Sequence, residues 1–273
     1  MQHFKLPCHF GATLTCYILN ERPSRNPDRS PRPAVILVPG GGYHWVVDHE
    51  QECIAMQFAS QGYHTFFLEY TVNPDGTTPL HSLPLEQLAS AMATIRRHSQ
   101  EWHLNPDQIA VAGFSAGGHL AGSLAVHWHT DWLSQRTLLT PDSIRPNAVI
   151  LSYPVITTGP LAHRGSIEHL LGSDASENEL ALYSLENQVT NKVPPVFLWH
   201  TMEDEFVPVE NSMLFANACI RENVSVELHI FPKNHHGLSL ATEETAWIPE
   251  SIDPHIAHWF PLCIEWLKLM WNN

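Results

Sequence analysis

The stretch Ile109-Ala110-Val111-Ala112-Gly113-Phe114-Ser115-Ala116-Gly117 decides the fold that we predict for this chain. Its first four residues form a short apolar run, which is typical of a buried strand. Residues 113–117 fit the pattern G-x-S-x-G, and a helix of small residues over 118–124 follows. A serine in this context predicts a sharp strand-to-helix turn with a strained backbone that exposes the hydroxyl. We therefore expect Ser115 to act as a nucleophile.

The residues around Ser115 suit such a turn. Side chains two positions away on either side would collide, which favours Gly113 and Gly117. The following helix directs its first N–H groups toward the serine, where a negatively charged oxygen forms, so the N–H of Ala116 is a candidate donor. The alternative is a glycine-rich turn with an incidental serine, and the flanking strand and helix disfavour it.

Apolar runs and helical patterns alternate along the rest of the chain. A helical pattern contains Leu85, Leu88, Met92 and Ile95, with Trp102 extending its face, and a helix over 261–270 closes the chain. Such alternation predicts the α/β class, with a mostly parallel sheet covered by helices on both faces. The other predicted strands are 34–38, 64–70, 148–151, 196–199 and 226–230.

We expect one domain over residues 1–273, because no later stretch is typical of a linker between domains. Residues 20–33 are polar and rich in proline and arginine, which predicts a surface loop. The interval 154–193 shows few helical signals. It is the candidate for a small lid or cap over the carboxyl ends of the strands, where open α/β sheets bind ligands.

Composition excludes several classes of protein. Of 273 residues, 44% are hydrophobic and 15% are charged, as in a globular chain. The formal net charge of −14 repels a phosphate backbone, so we expect no nucleic-acid partner. The N-terminus lacks the basic and apolar regions of a signal peptide, and no apolar run approaches the roughly 18 residues of a membrane span. We therefore expect no membrane partner.

Cysteine and histidine spacing predicts neither disulfides nor metal sites. The five cysteines are scattered, and no C-x-x-C or H-E-x-x-H pattern occurs. We expect free thiols in a reducing cytoplasm and no metal or cofactor. The cysteines are Cys8, Cys16, Cys53, Cys219 and Cys263.

A glycine run, Pro39-Gly40-Gly41-Gly42, follows the strand at 34–38. Glycine-rich loops after strands also bind phosphates, but no G-K-[ST] or G-x-G-x-x-G pattern follows here. An oxyanion loop needs exposed amides that a substrate can approach closely, which glycine allows. We favour Gly41 or Gly42 as a donor beside Ala116. A tight turn without this role is the alternative.

The nucleophile needs a base, and the base needs a carboxylate that orients it. Two loops that follow predicted strands offer these groups at the same sheet edge as Ser115. Residues 200–208 contain Glu203, Asp204 and Glu205, and residues 231–237 contain His235 and His236. Position in the loops leaves both choices open.

Taken together, these residues resemble α/β-hydrolase esterases of the acetyl-esterase and acetyl-xylan-esterase-like group, which is related to the hormone-sensitive-lipase-like enzymes. The resemblance covers most of the chain. The matching segments are Pro-Gly-Gly-Gly-Tyr at 39–43, Gly-Phe-Ser-Ala-Gly-Gly-His-Leu at 113–120, Ser-Tyr-Pro at 152–154, Phe-Leu-Trp-His-Thr at 197–201, Asp204 with Val207-Pro208, and His-Gly at 236–237.

The resemblance implies a triad of Ser115, Asp204 and His236, with oxyanion N–H groups from Gly41, Gly42 and Ala116. Pro39 replaces a histidine that many lipase relatives carry, which favours the sugar-esterase-like branch over enzymes of long-chain lipids. The implied function is hydrolysis of a small carboxylic ester, with an acetylated sugar or xylo-oligosaccharide as the best candidate substrate.

Aromatic residues near these motifs are candidates for the substrate pocket, although core packing explains each of them equally well. Two other functions stay open: an amidase or peptidase that uses the same triad, and a catalytically silent binding protein on this scaffold. The sequence predicts no oligomeric state. The candidate pocket residues are Tyr43, Trp45 and Tyr70.

Overall fold

One twisted sheet organises the protein, and the computed structural model describes residues 1–22 and 30–271. Within these ranges the sheet has eight strands in the order β1-β2-β4-β3-β5-β6-β7-β8. The strand β2 pairs antiparallel with β1 and β4, and all other neighbours are parallel. The strands are β1 Gln2–Pro7, β2 Thr13–Ile18, β3 Arg32–Val38, β4 His64–Glu69, β5 Leu104–Phe114, β6 Ala148–Ser152, β7 Val196–Thr201 and β8 Val226–Phe231.

Helices connect most of the strands. Among the described residues, three of the α-helices have seven residues or fewer, and several 3-10 turns lie between the regular elements. The α-helices are α1 Glu52–Ser60, α2 Leu83–Arg97, α3 Ala116–His127, α4 Asp131–Thr137, α5 Pro141–Ile144, α6 Arg164–Leu171, α7 Glu177–Tyr183, α8 Glu210–Arg221 and α9 Trp259–Trp271. The 3-10 turns are His9–Gly11, Asp48–Glu50, Leu185–Asn187, Pro249–Ser251 and Ile256–His258.

Hydrophobic cores cover both faces of the sheet. Successive residues of β3 alternate between them: Ile36 packs into the core under α2, α3 and α8, whereas Val35 and Leu37 pack into the core under α1 and α9. This arrangement confirms the predicted α/β class with a mostly parallel, doubly covered sheet. The parallel strands read as continuous apolar runs because both of their faces are buried.

The carboxyl ends of the parallel strands meet at one edge. Val38 lies opposite Gly113, and Phe114 lies opposite Ser152. Ser152 in turn lies opposite Trp199, and Thr201 lies opposite Phe231. The loops that follow these strands therefore emerge side by side, which is why residues far apart in sequence can form one site.

Several predicted boundaries are wrong. The loop predicted for 20–33 ends too late, because β3 begins at Arg32, where Arg32 already pairs with Leu104; residues 23–29 of that loop lie outside the described residues. The helix α2 ends at Arg97, so Trp102 does not extend its face. Instead Trp102 folds back and stacks on His98 at 4.6 Å. The interval 154–193 is not poor in helices, since it contains α6 and α7.

Candidate active site

Ser115 lies between β5 and α3 in a strained backbone conformation, with φ 54° and ψ −119°. A non-glycine residue rarely adopts this conformation, and the surrounding contacts hold it in place. The Ser115 N–H donates to Ser152 O at 3.0 Å. A Cβ at Gly113 would lie 2.2 Å from Gly117 O, and a Cβ at Gly117 would lie 2.0 Å from Val38 O. The turn therefore excludes side chains at both positions, as the sequence predicted.

The structure brings Ser115, Asp204 and His236 together. The His236 Nε2 atom lies 2.7 Å from Ser115 Oγ, and His236 Nδ1 lies 2.6 Å from Asp204 Oδ2. The neighbouring His235 turns away, with Nδ1 2.7 Å from the backbone oxygen of His236. Only one of the two adjacent histidines can contact both the serine and the acid.

Hydrogen-bond donors surround the carboxylate of Asp204. Its Oδ1 accepts the N–H groups of Phe206 at 3.0 Å and Val207 at 2.8 Å, while Oδ2 contacts His200 and His236. Burial by itself raises the pKa of Asp204, but the hydrogen bonds from both histidines outweigh it and hold the pKa well below its ordinary value. Asp204 is therefore an ionised carboxylate in a fixed orientation.

The neighbouring carboxylates have other environments. Glu203 and Glu205 are exposed, and Glu203 Oε2 accepts the N–H of Asn234 at 3.2 Å. Neither side chain is placed at the imidazole of His236.

His200 is a site residue to which the sequence argument assigned no role. It is fully buried at the end of β7, where Nε2 lies 3.1 Å from Asp204 Oδ2 and 2.9 Å from Val207 O. Both of these oxygens are acceptors, so Nε2 carries the proton and Nδ1 accepts from Ser212 Oγ at 2.8 Å. The sequence did contain a signal for this role. His200 lies in an apolar strand, and a buried imidazole needs hydrogen-bond partners.

Three backbone N–H groups are available beside Ser115. Within the described part of the chain, the amides of Gly41, Gly42 and Ala116 find no acceptor. The Gly40 amide is already used, because it donates to Glu50 Oε2 at 2.6 Å. Unpaired amides next to a serine hydroxyl are suited to stabilise a negatively charged oxygen.

A cleft of about 490 Å³ opens over Ser115. Its volume is suited to a small organic ligand. Trp45, Phe206 and Trp247 line it and are 55%, 65% and 58% exposed, so the rim of the cleft is aromatic. The remaining lining residues come from the loop that contains the glycine run, the 3-10 turn after it, the interval 154–193 and the loop after β8. They include His44, His49, Glu50, His163, Gly165, His169, His236 and Gly237.

Of the three aromatic residues predicted for the pocket, the structure places only Trp45 on its wall. Tyr43 and Tyr70 are buried in the core, at 1% and 4% exposure. The Tyr43 hydroxyl donates to His119 Nδ1, 2.9 Å away, and the Tyr70 hydroxyl donates to Pro39 O, 2.7 Å away. Tyr70 thus holds the start of the glycine run and Tyr43 joins its end to α3, so the prediction that they line the pocket is wrong.

His163, which the sequence argument also missed, faces the cleft from the start of α6. Its Nδ1 accepts the N–H of Ser166 at 3.3 Å and lies 2.7 Å from Ser166 Oγ, so the side chain caps the helix. This arrangement leaves Nε2 as the protonated nitrogen. Burial lowers the pKa of His163, and the nearby His236 lowers it further. The side chain is thus a neutral hydrogen-bond donor.

An eight-stranded, mostly parallel sheet with a serine on a strained turn after β5 is the architecture of the α/β-hydrolase fold. The BD-FAE family matches residues 23–219 of this chain. The chain belongs to that family.

Two curated relatives and one solved structure are similar over most of the chain. Endo-1,4-beta-xylanase B of Butyrivibrio fibrisolvens is 42% identical over 213 residues, which cover 78% of this chain and 33% of that protein. The acetylxylan esterase of Xylanibacter ruminicola is 28% identical over 237 residues, which cover 85% and 44%. This chain therefore spans less than half of the length of either relative.

The solved structure is that of an acetyl ester-xyloside bifunctional hydrolase from Caldicellulosiruptor lactoaceticus. It is 35% identical to this chain, with a TM-score of 0.80, and the match covers 96% of this chain and 89% of that one. The α/β-hydrolase fold is thus supported by topology and by a solved structure.

Proposed function

We propose that the protein hydrolyses short-chain carboxylic esters through an acyl-enzyme on Ser115. The observation that carries this proposal is the chain of contacts from Ser115 Oγ to His236 Nε2 at 2.7 Å and from His236 Nδ1 to Asp204 Oδ2 at 2.6 Å. A serine hydroxyl becomes a useful nucleophile when a base at this distance takes its proton.

The reaction follows from these positions. Ser115 Oγ attacks the ester carbonyl while His236 Nε2 takes the hydroxyl proton, and Asp204 stabilises the resulting imidazolium. The N–H of Ala116, with Gly41 or Gly42, stabilises the negatively charged oxygen. The imidazolium then gives its proton to the leaving alcohol. In the second half, water attacks the acyl-enzyme, His236 takes a proton from it, and Ser115 leaves with that proton as the free hydroxyl.

An acetylated sugar or xylo-oligosaccharide is the substrate that we propose. The names of the acetylxylan esterase and the acetyl ester-xyloside hydrolase support this choice. The exposed rings of Trp45 and Trp247 at the cleft are suited to pack against the apolar faces of a sugar ring. The N–H at His163 Nε2 adds a donor for a sugar hydroxyl.

We further propose that residues 154–193 act as a small cap within a single domain. This interval contributes His163, Gly165 and His169 to the cleft.

The free state of all five cysteines supports a reducing compartment such as the cytoplasm. Within residues 1–22 and 30–271, no helix combines the length and apolar character that crossing a bilayer requires.

Hydrolysis of matched p-nitrophenyl acetate, butyrate and octanoate, of acetylated xylo-oligosaccharides and of an acetyl anilide tests the proposal. We expect kcat/KM to be highest for acetyl esters, with little anilide turnover. A fluorophosphonate probe should label the wild-type chain and fail to label the folded Ser115→Ala variant, which should retain less than about a thousandth of the turnover.

Other results would contradict parts of this proposal. A rise of kcat/KM toward octanoate would contradict the short-chain preference, and faster cleavage of the anilide would favour an amidase. A wild-type chain that is neither labelled nor active would favour the binding-protein alternative.

A further inference from the structure

We infer that Glu50 is a positioning residue that holds the oxyanion loop, defined here as residues 39–47, in its working geometry. This inference rests on the ester hydrolysis proposed at Ser115. Glu50 ends the 3-10 turn Asp48–Glu50 and is 1% exposed. A carboxylate is costly to bury without donors, and both of its oxygens have one.

The first contact of Glu50 is with the oxyanion loop itself. Its Oε2 accepts the N–H of Gly40 at 2.6 Å. A Cβ at Gly40 would lie 2.9 Å from Ser115 Cβ and 3.0 Å from Glu50 Oε2. The carboxylate and the nucleophile therefore flank the same glycine, on the backbone that leads into Gly41.

The Pro39–Gly40 peptide is held at both of its polar ends. Its carbonyl accepts the hydroxyl of Tyr70 at 2.7 Å, and its N–H is the one that Glu50 accepts. A peptide unit is planar, so fixing both ends fixes its orientation. That peptide is the anchored start of the backbone that carries the amides of Gly41 and Gly42.

The second oxygen of Glu50 connects to the loop that carries His236. Its Oε1 accepts the hydroxyl of Tyr153 at 2.7 Å, and the Tyr153 oxygen accepts the N–H of Ser239 at 3.0 Å. The Tyr153 ring packs edge-to-face on His236 with 5.0 Å between the ring centres. One carboxylate therefore joins the oxyanion loop to the loop after β8.

The consequence concerns the rate of the chemical step. An oxyanion donor acts on charge that exists only in the transition state, so its displacement lowers kcat more than it raises KM. Removing one such donor outright costs about 10²–10³ in kcat in other hydrolases. We expect losing the Glu50 contact to cost no more than the lower end of this range, because the donors stay present but shift.

Glu50→Gln and Glu50→Ala test the inference, and Glu86→Gln is the matched control. Glu86 is also a buried carboxylate, at 5% exposure, but it lies on α2 and accepts from Ser82 Oγ at 2.7 Å and from Arg136. Values of kcat are taken per active site, counted by fluorophosphonate labelling carried to completion, which removes the contribution of unfolded protein.

We expect kcat on p-nitrophenyl acetate to fall about tenfold in Glu50→Gln and about a hundredfold in Glu50→Ala, with KM within about threefold of wild type. Glu86→Gln should stay within about twofold in both. The affinity for a boronic acid that mimics the tetrahedral intermediate should fall by the same factor as kcat/KM.

Two further results bear on the route of the effect. Tyr153→Phe keeps the Gly40 contact, so its loss should be smaller than that of Glu50→Ala, and an equal loss would overturn the route through Gly40. If both Glu50 variants keep kcat per site within twofold of an active wild type, the inference alone is overturned. A wild-type chain without turnover or labelling would overturn the proposed function as well.

Discussion

The buried imidazole of His200 lies 3.1 Å from Asp204 Oδ2, the same oxygen that His236 Nδ1 contacts at 2.6 Å. Asp204 Oδ2 thus accepts hydrogen bonds from two histidines, and its Oδ1 accepts them from two backbone amides. A carboxylate with all of these donors cannot rotate, so the direction in which it presents itself to His236 is set by β7 and by the loop after it.

Replacing His200 should therefore impair catalysis, although this buried side chain does not line the cleft. We expect His200→Phe to lower kcat on a short ester about tenfold with little change in KM, because Asp204 loses a donor that orients it. His200→Gln, which retains a donor, should lose less. Turnover per labelled site measures both variants. If both variants keep the wild-type kcat, the contact between His200 and Asp204 serves folding alone.

Asp204→Asn should abolish most of the activity. The two backbone N–H groups keep the amide oxygen in the Oδ1 position, so the NH2 group faces His236 Nδ1 and donates to it, which fixes the wrong tautomer. The amide also carries no charge to stabilise the imidazolium, and we expect a loss of about 10⁴-fold in kcat, the size seen for other triads. Glu203→Gln and Glu205→Gln are matched controls, since both side chains are exposed in the same loop. Comparable losses in all three variants would contradict the assignment of Asp204 as the acid.

His236→Gln should be nearly as damaging as Ser115→Ala, because members of one catalytic unit are not additive. His235→Gln is the control from the adjacent position. Its ring contacts the backbone oxygen of His236 and Ser251 Oγ rather than Ser115 Oγ, so kcat of this variant should stay within about tenfold of wild type. The reverse order of effects would make His235 the base.

The exposed tryptophans should matter for sugars more than for small esters. Trp45→Ala should raise KM for an acetylated xylo-oligosaccharide about three- to tenfold, the size of one aromatic contact, and change KM for p-nitrophenyl acetate little. Phe10→Ala, a half-exposed aromatic residue outside the lining of the cleft, is the control. An equal rise of KM for both substrates would contradict a role of Trp45 in binding the sugar.

Stability should fall in mild acid. Burial lowers the pKa of His64, His119 and His127 from 6.5 to about 4. The unfolded chain therefore binds more protons than the folded protein between about pH 4 and 6.5, and the free energy of unfolding decreases as the pH falls through that window. Urea unfolding at pH 7.5 and at pH 4.5 measures the difference.

A single variant can localise this pH dependence. His127→Gln should flatten the curve, since it removes one buried group that must stay neutral in the folded protein. His258→Gln, at an exposed position, should not. A free energy of unfolding that is the same at pH 4.5 and 7.5 would contradict the protonation argument.

The sequence by itself determined the fold class and the serine turn. Apolar runs such as 109–112 and 148–151 report strands buried on both faces, and only glycine fits at 113 and 117 because backbone oxygens lie about 2 Å from where a Cβ would be. These are local requirements, so local sequence reveals them. The resemblance to esterases also selected Asp204 and His236, which position in the loops alone left open.

Only the tertiary structure decided which side chains the site uses beyond these motifs. Tyr43 and Tyr70 have the residue type of a pocket wall, yet both are buried in the hydrophobic core. Neither Glu50 nor His200 was assigned a role from the sequence. Their hydrogen-bond partners, Gly40 and Asp204, lie in loops that the fold brings to the same edge of the sheet. Which buried polar group meets which donor depends on the register of neighbouring strands, and that register is set by the packing of the whole sheet.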